Sequence, residues 1–137
     1  MSGAQEQELA RRALRARENA HAPYSDFAVG AALLTDSGSI YTGCNIENAS
    51  YPAGNCAERT AIFKAVSEGE RDFTAIAIAG GKAGEEPADF CPPCGICRQV
   101  MAEFFTADTP ILLIKSEREI KRRTLGELLP EAFHQRH

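Results

Sequence analysis

No stretch of the 137-residue chain approaches the roughly 20 consecutive apolar residues that a membrane helix needs. The first residues form a polar, charged run rather than a short basic segment followed by an apolar one, so no export signal is expected and the reading is of a soluble, cytoplasmic protein. There is no long basic run either. The nearest is Lys121-Arg122-Arg123, which reads as a solvated edge, and the formal net charge is -4. An electrostatic grip on a phosphate backbone, which needs clustered Lys and Arg, is therefore not expected. Internal repeats and low-complexity segments are lacking too. At this length, with 44% hydrophobic and 25% charged residues, one globular domain over 1–137 is expected, with no room for a second.

What is present is cysteine, in an odd number and unevenly spread: Cys44, Cys56, Cys91, Cys94 and Cys97. Three of the five fall between Cys91 and Cys97, in a chain without an expected export signal. That distribution reads as metal or redox chemistry rather than a disulfide framework.

Apolar periodicity organises the rest. From Ala4 to about Ala20, Leu9, Ala13, Ala16 and Ala20 recur at helical spacing among Glu and Arg, and His21-Ala22-Pro23 ends the segment. Phe27 to Leu34 and Ser39 to Cys44 are two extended runs about the turn Thr35-Asp36-Ser37-Gly38, a β-hairpin. Asn45 to Asn55 is a loop, and a second helix runs from Cys56 to about Glu68 with Asn55 as its expected N-cap. Phe73 to Ala79 is a buried strand, Gly80 to Pro92 a loop, Cys94 to Phe105 a third helix, and Ile111 to Lys115 a further strand. Leu125, Leu128 and Leu129 mark a helical turn before Pro130. The order implies an α/β protein with a mixed sheet covered by helices.

Cys94-Gly95-Ile96-Cys97, arriving at a helix start, can place both sulfurs on one metal, because the first turn brings positions i and i+3 to one side. A CxxC alone is ambiguous between metal and redox use. Cys56 favours metal: it opens a different helix, so two positive helix N-termini can face one thiolate-rich site. Two residues on stands Glu58, which either complements the helix dipole or acts as a proton-transfer group. A catalytic zinc keeps three protein ligands and an open position, whereas a structural zinc closes with four. Three thiolates leave zinc with excess negative charge, and Arg59 or Arg98, unless both are surface residues, is placed to offset it. Cys91 as a fourth ligand is disfavoured by the stiff Pro92-Pro93 that follows it. Cys44 reads as an ordinary buried thiol.

Cys56-Ala57-Glu58, with Pro93-Cys94-Gly95-Ile96-Cys97-Arg98-Gln99-Val100, resembles the small, homotetrameric cytidine deaminases of the cytidine and deoxycytidylate deaminase superfamily. The likeness extends from Ala22-Pro23-Tyr24-Ser25 and Phe27-Ala28-Val29-Gly30-Ala31-Ala32, through Asn45-Ile46-Glu47-Asn48-Ala49-Ser50-Tyr51, to Leu125-Gly126-Glu127-Leu128-Leu129-Pro130 and Phe133. It departs from the commonest family pattern at Cys91-Pro92.

The resemblance implies a three-layer α/β/α fold with about five strands and one zinc per subunit on Cys56, Cys94 and Cys97. It makes Glu58 the proton-transfer residue; of the two arginines, Arg59, one helical turn after Cys56, is the expected charge-compensating one. It implies that Asn45 and Glu47 bind the ribose, that Phe27 packs near the base, and that Ala57 and Tyr51 contribute to the substrate site. Phe133 would reach a neighbouring subunit's site in a homotetramer. The implied reaction is hydrolytic deamination of cytidine and 2'-deoxycytidine in pyrimidine salvage, on a free nucleoside, with no nucleic acid or membrane partner. Two rivals stand beside it: a related deaminase of another nucleoside or of a base in nucleic acid, and a non-catalytic zinc module closed by a fourth ligand such as Cys91.

Overall fold

The computed structural model describes residues 1–135. Helix α1, Gly3–Ala16, is opened by a capping box in which the Ser2 hydroxyl accepts from the Gln5 amide while the Gln5 side chain accepts from the Ser2 amide. It ends before the expected Ala20 because the chain tightens into a 3-10 turn over Arg17–Asn19. The buried Arg17 side chain donates to the carbonyls of Ala28, Lys82 and Glu85.

Strands β1 (Phe27–Thr35) and β2 (Ile40–Cys44) form the expected hairpin. Helix α2, Ala57–Ser67, follows, then β3 (Phe73–Lys82), α3 (Gly95–Phe104), β4 (Pro110–Ile114), β5 (Ile120–Thr124) and the turn α4 (Leu125–Leu128). The sheet order is β2-β1-β3-β4-β5, with β3 and β4 parallel and the other neighbours antiparallel. The parallel pair encloses α3, as a crossover connection requires.

Alternation along the strands assigns the two faces. Ala31, Leu33, Ile76, Ile78, Ile111 and Leu113 point to the side of α2 and α3, where Ala61, Ile62, Cys97 and Met101 meet them. Ala32, Leu34, Ala75, Ala77, Ala79, Leu112 and Ile114 point to α1, which buries Leu9, Ala10 and Ala13 on them. Three layers result, with five strands in the middle.

Two strands differ from expectation. β3 runs to Lys82 rather than Ala79, because Gly80 and Gly81 continue to pair with Val29 and Ala28 of β1. β5 is a strand that apolar runs did not mark: Lys121-Arg122-Arg123 lies within it, on the sheet edge, where cationic side chains discourage further pairing. Arg122 makes a two-pronged ion pair with the buried Glu6 of α1, and the Lys121 ammonium sits 4.5 Å from the centre of the Phe90 ring. Among the described residues, no helix is long and apolar enough to cross a membrane.

Helices lie close to the sheet where glycine removes the side chain. A Cβ on Gly30 would stand 2.1 Å from the Ala13 carbonyl oxygen, and one on Gly43 would stand 2.6 Å from both the Ala57 oxygen and the Ala61 nitrogen. Gly43 thereby seats the first turn of α2 on β2. Gly30→Ala and Gly43→Ala are each expected to destabilise by about 1–3 kcal/mol through overpacking, read as a fall of several degrees in the melting temperature. Gly3→Ala, which meets nothing within 4 Å, should leave melting unchanged; equal melting of all three variants would contradict this packing.

Candidate active site

The candidate site forms where α2 and α3 begin. The expected cap Asn55 is instead held in an isolated bridge, exchanging backbone hydrogen bonds with Ile46 at 2.9 Å in both directions. Cys56 therefore occupies the N-cap of α2 in extended conformation, and no side-chain capping bond engages its sulfur. Cys94 is the N-cap of α3, where its sulfur accepts from the Cys97 amide at 3.5 Å. Both helices present their N-terminal ends to the same place, which favours negative charge there.

The sulfurs of Cys56, Cys94 and Cys97 all lie within 4.8 Å of one another, with Cys56 and Cys94 3.8 Å apart. Bonds of about 2.3 Å meeting at a tetrahedral zinc would put two sulfurs roughly 3.8 Å apart, the separation found between Cys56 and Cys94, so the trio is of a size to hold that ion. The Cys56 thiol is drawn down to about 5, first by its hydrogen bond with Cys97 and then by Arg59. The same bond, with burial, pushes the Cys97 thiol up. The charged form is thus favoured at Cys56 and disfavoured at Cys97, and a cation is needed to hold both as thiolates.

Of the two arginines considered, Arg59 is the one that reaches a sulfur. Its Nη2 donates to the Cys56 sulfur at 3.3 Å, and its Nε is buried with no partner among the described residues. Arg98 does not reach sulfur: it donates to the carbonyls of Pro93 and Leu128, fastening α3 to the C-terminal turn. Cys91 stands outside the trio. Its sulfur would meet a Cβ on Gly80 at 2.7 Å, so it packs on β3 beside the Phe27 ring, and burial pushes its thiol up to about 11. Cys44, half-buried at the end of β2, has its thiol raised by burial.

Glu58 is 4% exposed, in the first turn of α2, and burial pushes its carboxyl up to about 7, with the Cys56 thiolate adding to the effect. A carboxyl in that range both takes and gives a proton near neutrality. Ala57 is fully buried against the core.

A cleft of about 480 Å³ opens beside the sulfurs, lined among others by Cys56, Arg59, Asn45, Glu47, Tyr24 and Tyr51. Glu47 accepts from the amides of Tyr24 and Ser25 and from the Ser25 hydroxyl, and these bonds hold its carboxyl below the usual range. The Asn45 side chain accepts from the Val29 amide and donates to the Phe27 carbonyl, both at 2.8 Å. Tyr51 is exposed in the 3-10 turn Tyr51–Ala53, edge-on to Tyr24 at 6.1 Å between ring centres. Phe27 is 42% exposed at the start of β1, and Phe133 is 72% exposed with its carbonyl accepting from Gln99. Within one chain Phe133 is not part of the cleft lining. Spacing alone did not single out Tyr24 and Ser25, which organise Glu47. Their signal was present in the Tyr24-Ser25 dipeptide just before the Phe27 strand.

A larger groove of about 690 Å³ lies beside α1 and the 84–87 and 115–118 loops. Its lining contains no cysteine, and Arg17 there is already engaged with three carbonyls, whereas Cys56 lines the smaller cleft.

The family model described as the cytidine and deoxycytidylate deaminase zinc-binding region matches residues 4–113. The chain belongs to this family. It is 54% identical to a cytidine deaminase of Halalkalibacterium halodurans over 127 residues, 93% of this chain and 92% of that one. A Sporosarcina psychrophila cytidine deaminase is 51% identical, with 87% of this chain and 84% of that one covered. The crystal structure of cytidine deaminase from Burkholderia pseudomallei superposes with a TM-score of 0.82 at 44% identity, covering 97% of this chain and all of that one. That from Mycobacterium tuberculosis gives 0.75 at 38% identity, covering 93% and 96%. The three-layer fold with its mixed sheet is thus the fold of cytidine deaminases, and the thiol cluster is compatible with one zinc per chain.

If the trio is the metal site, replacing Cys56, Cys94 or Cys97 singly by Ser lowers bound zinc from about one per chain to roughly a tenth or less, whereas Cys91→Ser and Cys44→Ser retain it. Metal analysis of the purified variants checks this; full zinc in any of the first three, or its loss in either of the last two, would contradict it.

Proposed function

We propose that this protein is a zinc-dependent hydrolytic deaminase that converts cytidine and 2'-deoxycytidine, with water, to uridine and 2'-deoxyuridine and ammonia. The observation that carries the reading is a buried carboxyl, Glu58, standing two residues from one of three sulfurs that fit a single zinc. Cys56, Cys94 and Cys97 would hold the ion. When bound, zinc supplies the Lewis acidity that makes water nucleophilic near neutral pH.

Glu58 takes one proton from the attacking water and gives it to N3, then takes the second from the resulting C4 hydroxyl and gives it to the amine that leaves C4, ending the turnover as the carboxylate it began as. Its burial keeps the carboxyl near the pH at which both tasks are possible. Arg59, donating to Cys56, offsets part of the negative charge of the three thiolates. The peptide edge of Ala57 and the ring of Phe27 bound the base, while Asn45 and Glu47 receive the sugar hydroxyls. Asn45 Nδ2 has a second hydrogen beyond the one given to Phe27, and Glu47 Oε2 has acceptor capacity beyond Ser25. Tyr51 flanks the cleft mouth.

The exposed Phe133, away from its own chain's cleft, suits a role in a neighbour's site, in a homotetramer whose subunits complete one another. The whole chain acts as one domain, in the cytoplasm, in salvage of pyrimidine nucleosides. A net charge of -4, and a cleft lining in which Arg59 is the only cation among the described residues, favour a free nucleoside over a nucleic acid strand.

Loss of the cytidine absorbance band with matching ammonia release tests the reading, with adenosine and single-stranded DNA as controls. Cytidine and deoxycytidine should turn over and the controls should not. Glu58→Gln should keep zinc and lose roughly 10²–10⁴-fold or more in kcat. A near wild-type rate in that variant, or no ammonia from a zinc-loaded wild type, would overturn the proposal.

A further inference from the structure

The segment between Pro23 and Phe27 is a tight turn on the protein surface. Asp26 within it has φ +59, the left-handed region that Asp tolerates better than most residues. Its amide donates to the Ala22 carbonyl at 3.0 Å, and its carbonyl accepts from Ala83 at 2.9 Å. Ser25 and Phe27 are exposed, so the turn buries little apolar surface. Hydrogen bonds to one carboxylate nevertheless converge on it. Glu47 Oε1 accepts from the amides of Tyr24, at 2.9 Å, and Ser25, at 3.1 Å, while Oε2 accepts from the Ser25 hydroxyl.

The Ser25 oxygen has a second partner, the Phe27 amide, which donates to it at 3.1 Å. The direction of both bonds is fixed by chemistry. A backbone N–H only donates and an ionised carboxylate only accepts, so Ser25 must receive from Phe27 and give to Glu47. The other peptide group of Phe27 is held as well, its carbonyl accepting from Asn45. Its ring rests over β3, with Cε2 3.0 Å from where a Cβ on Gly80 would stand.

We propose that Ser25 is a positioning residue, whose hydroxyl couples the Glu47 carboxylate to the Phe27 backbone so that the sugar-receiving group and the base-flanking ring keep one fixed relation. This rests on the roles given to Glu47 and Phe27 under the proposed function. The Ser25 hydroxyl is also the main cause holding the Glu47 carboxyl below the usual range, with the two amides adding to it. Threonine retains the hydroxyl and can stand in for serine; alanine cannot.

Steady-state kinetics with cytidine on the zinc-loaded protein tests the coupling in Ser25→Ala, Ser25→Thr, Glu47→Gln and the Ser25→Ala/Glu47→Gln double variant. Ser25→Ala should raise KM about tenfold with kcat within about twofold, the loss of one hydrogen bond to a charged group. Ser25→Thr should recover most of that loss. The double variant should be no worse than Glu47→Gln by more than about twofold, because with its oxygen held by the Tyr24 and Ser25 amides the Glu47→Gln side chain sets an NH2, not an acceptor, opposite the Ser25 hydroxyl. A wild-type KM in Ser25→Ala, while Glu47→Gln raises KM, overturns the relay and leaves the role of Glu47 standing. Additive losses, or a joint fall of kcat, zinc content and melting temperature in Ser25→Ala, also overturn it, since they describe mere support of the turn. A wild-type KM in Glu47→Gln overturns the sugar-binding role of Glu47 and the relay with it.

Discussion

Two helices that begin at one point, each with a cysteine at its N-cap, are the constraint on which the candidate site depends. An N-cap side chain ordinarily turns back to satisfy its own helix. At Cys56 no such bond forms, and at Cys94 the long contact to the Cys97 amide leaves the sulfur facing its neighbours. Both helix ends bring partial positive charge to a place where three thiols crowd together. The sheet makes the meeting possible. The strands set α2 and α3 on the same face, and Gly43 lets the first turn of α2 lie against β2 at backbone distance.

The same convergence explains the state of Glu58. It stands on the first turn of α2, sealed from water and next to a sulfur that holds negative charge, and both conditions favour the protonated carboxyl. An isolated buried carboxyl of this kind is a burden to the fold. As the proposed proton carrier it has a use, with Arg59 placed to limit the charge on the neighbouring sulfur. The cleft outside is ordered differently, through polar bonds rather than burial. Asn45 and Glu47 spend part of their hydrogen-bonding capacity on the backbone from Tyr24 to Val29, and keep part of it free.

Much of this was legible in the residues. Continuous apolar runs marked β1, β3 and β4, because strands buried on both faces need them. The Cys56-Ala57-Glu58 and Cys94-Gly95-Ile96-Cys97 spacings named the cluster before any distance was known. β5 was not legible as an apolar run: Ile120-Lys121-Arg122-Arg123-Thr124 is an edge strand, half solvated, specified by its partner β4 and by Glu6 more than a hundred residues away. The cap of α2 moved from Asn55 to Cys56 because Asn55 is claimed by Ile46, a contact local propensity does not register. Arg59 and Arg98 looked alike in sequence. What separated them was the Leu128 carbonyl, 30 residues from Arg98 and supplied only by the fold.

The central claim is a metal centre with three thiolate ligands and one position open to water. X-ray absorption at the zinc edge on the zinc-loaded protein measures it directly. Three sulfurs at about 2.3 Å and one lighter oxygen or nitrogen at about 2.0 Å are expected. Four sulfurs, with Cys91 or another thiol closing the shell, would contradict it and make the centre structural.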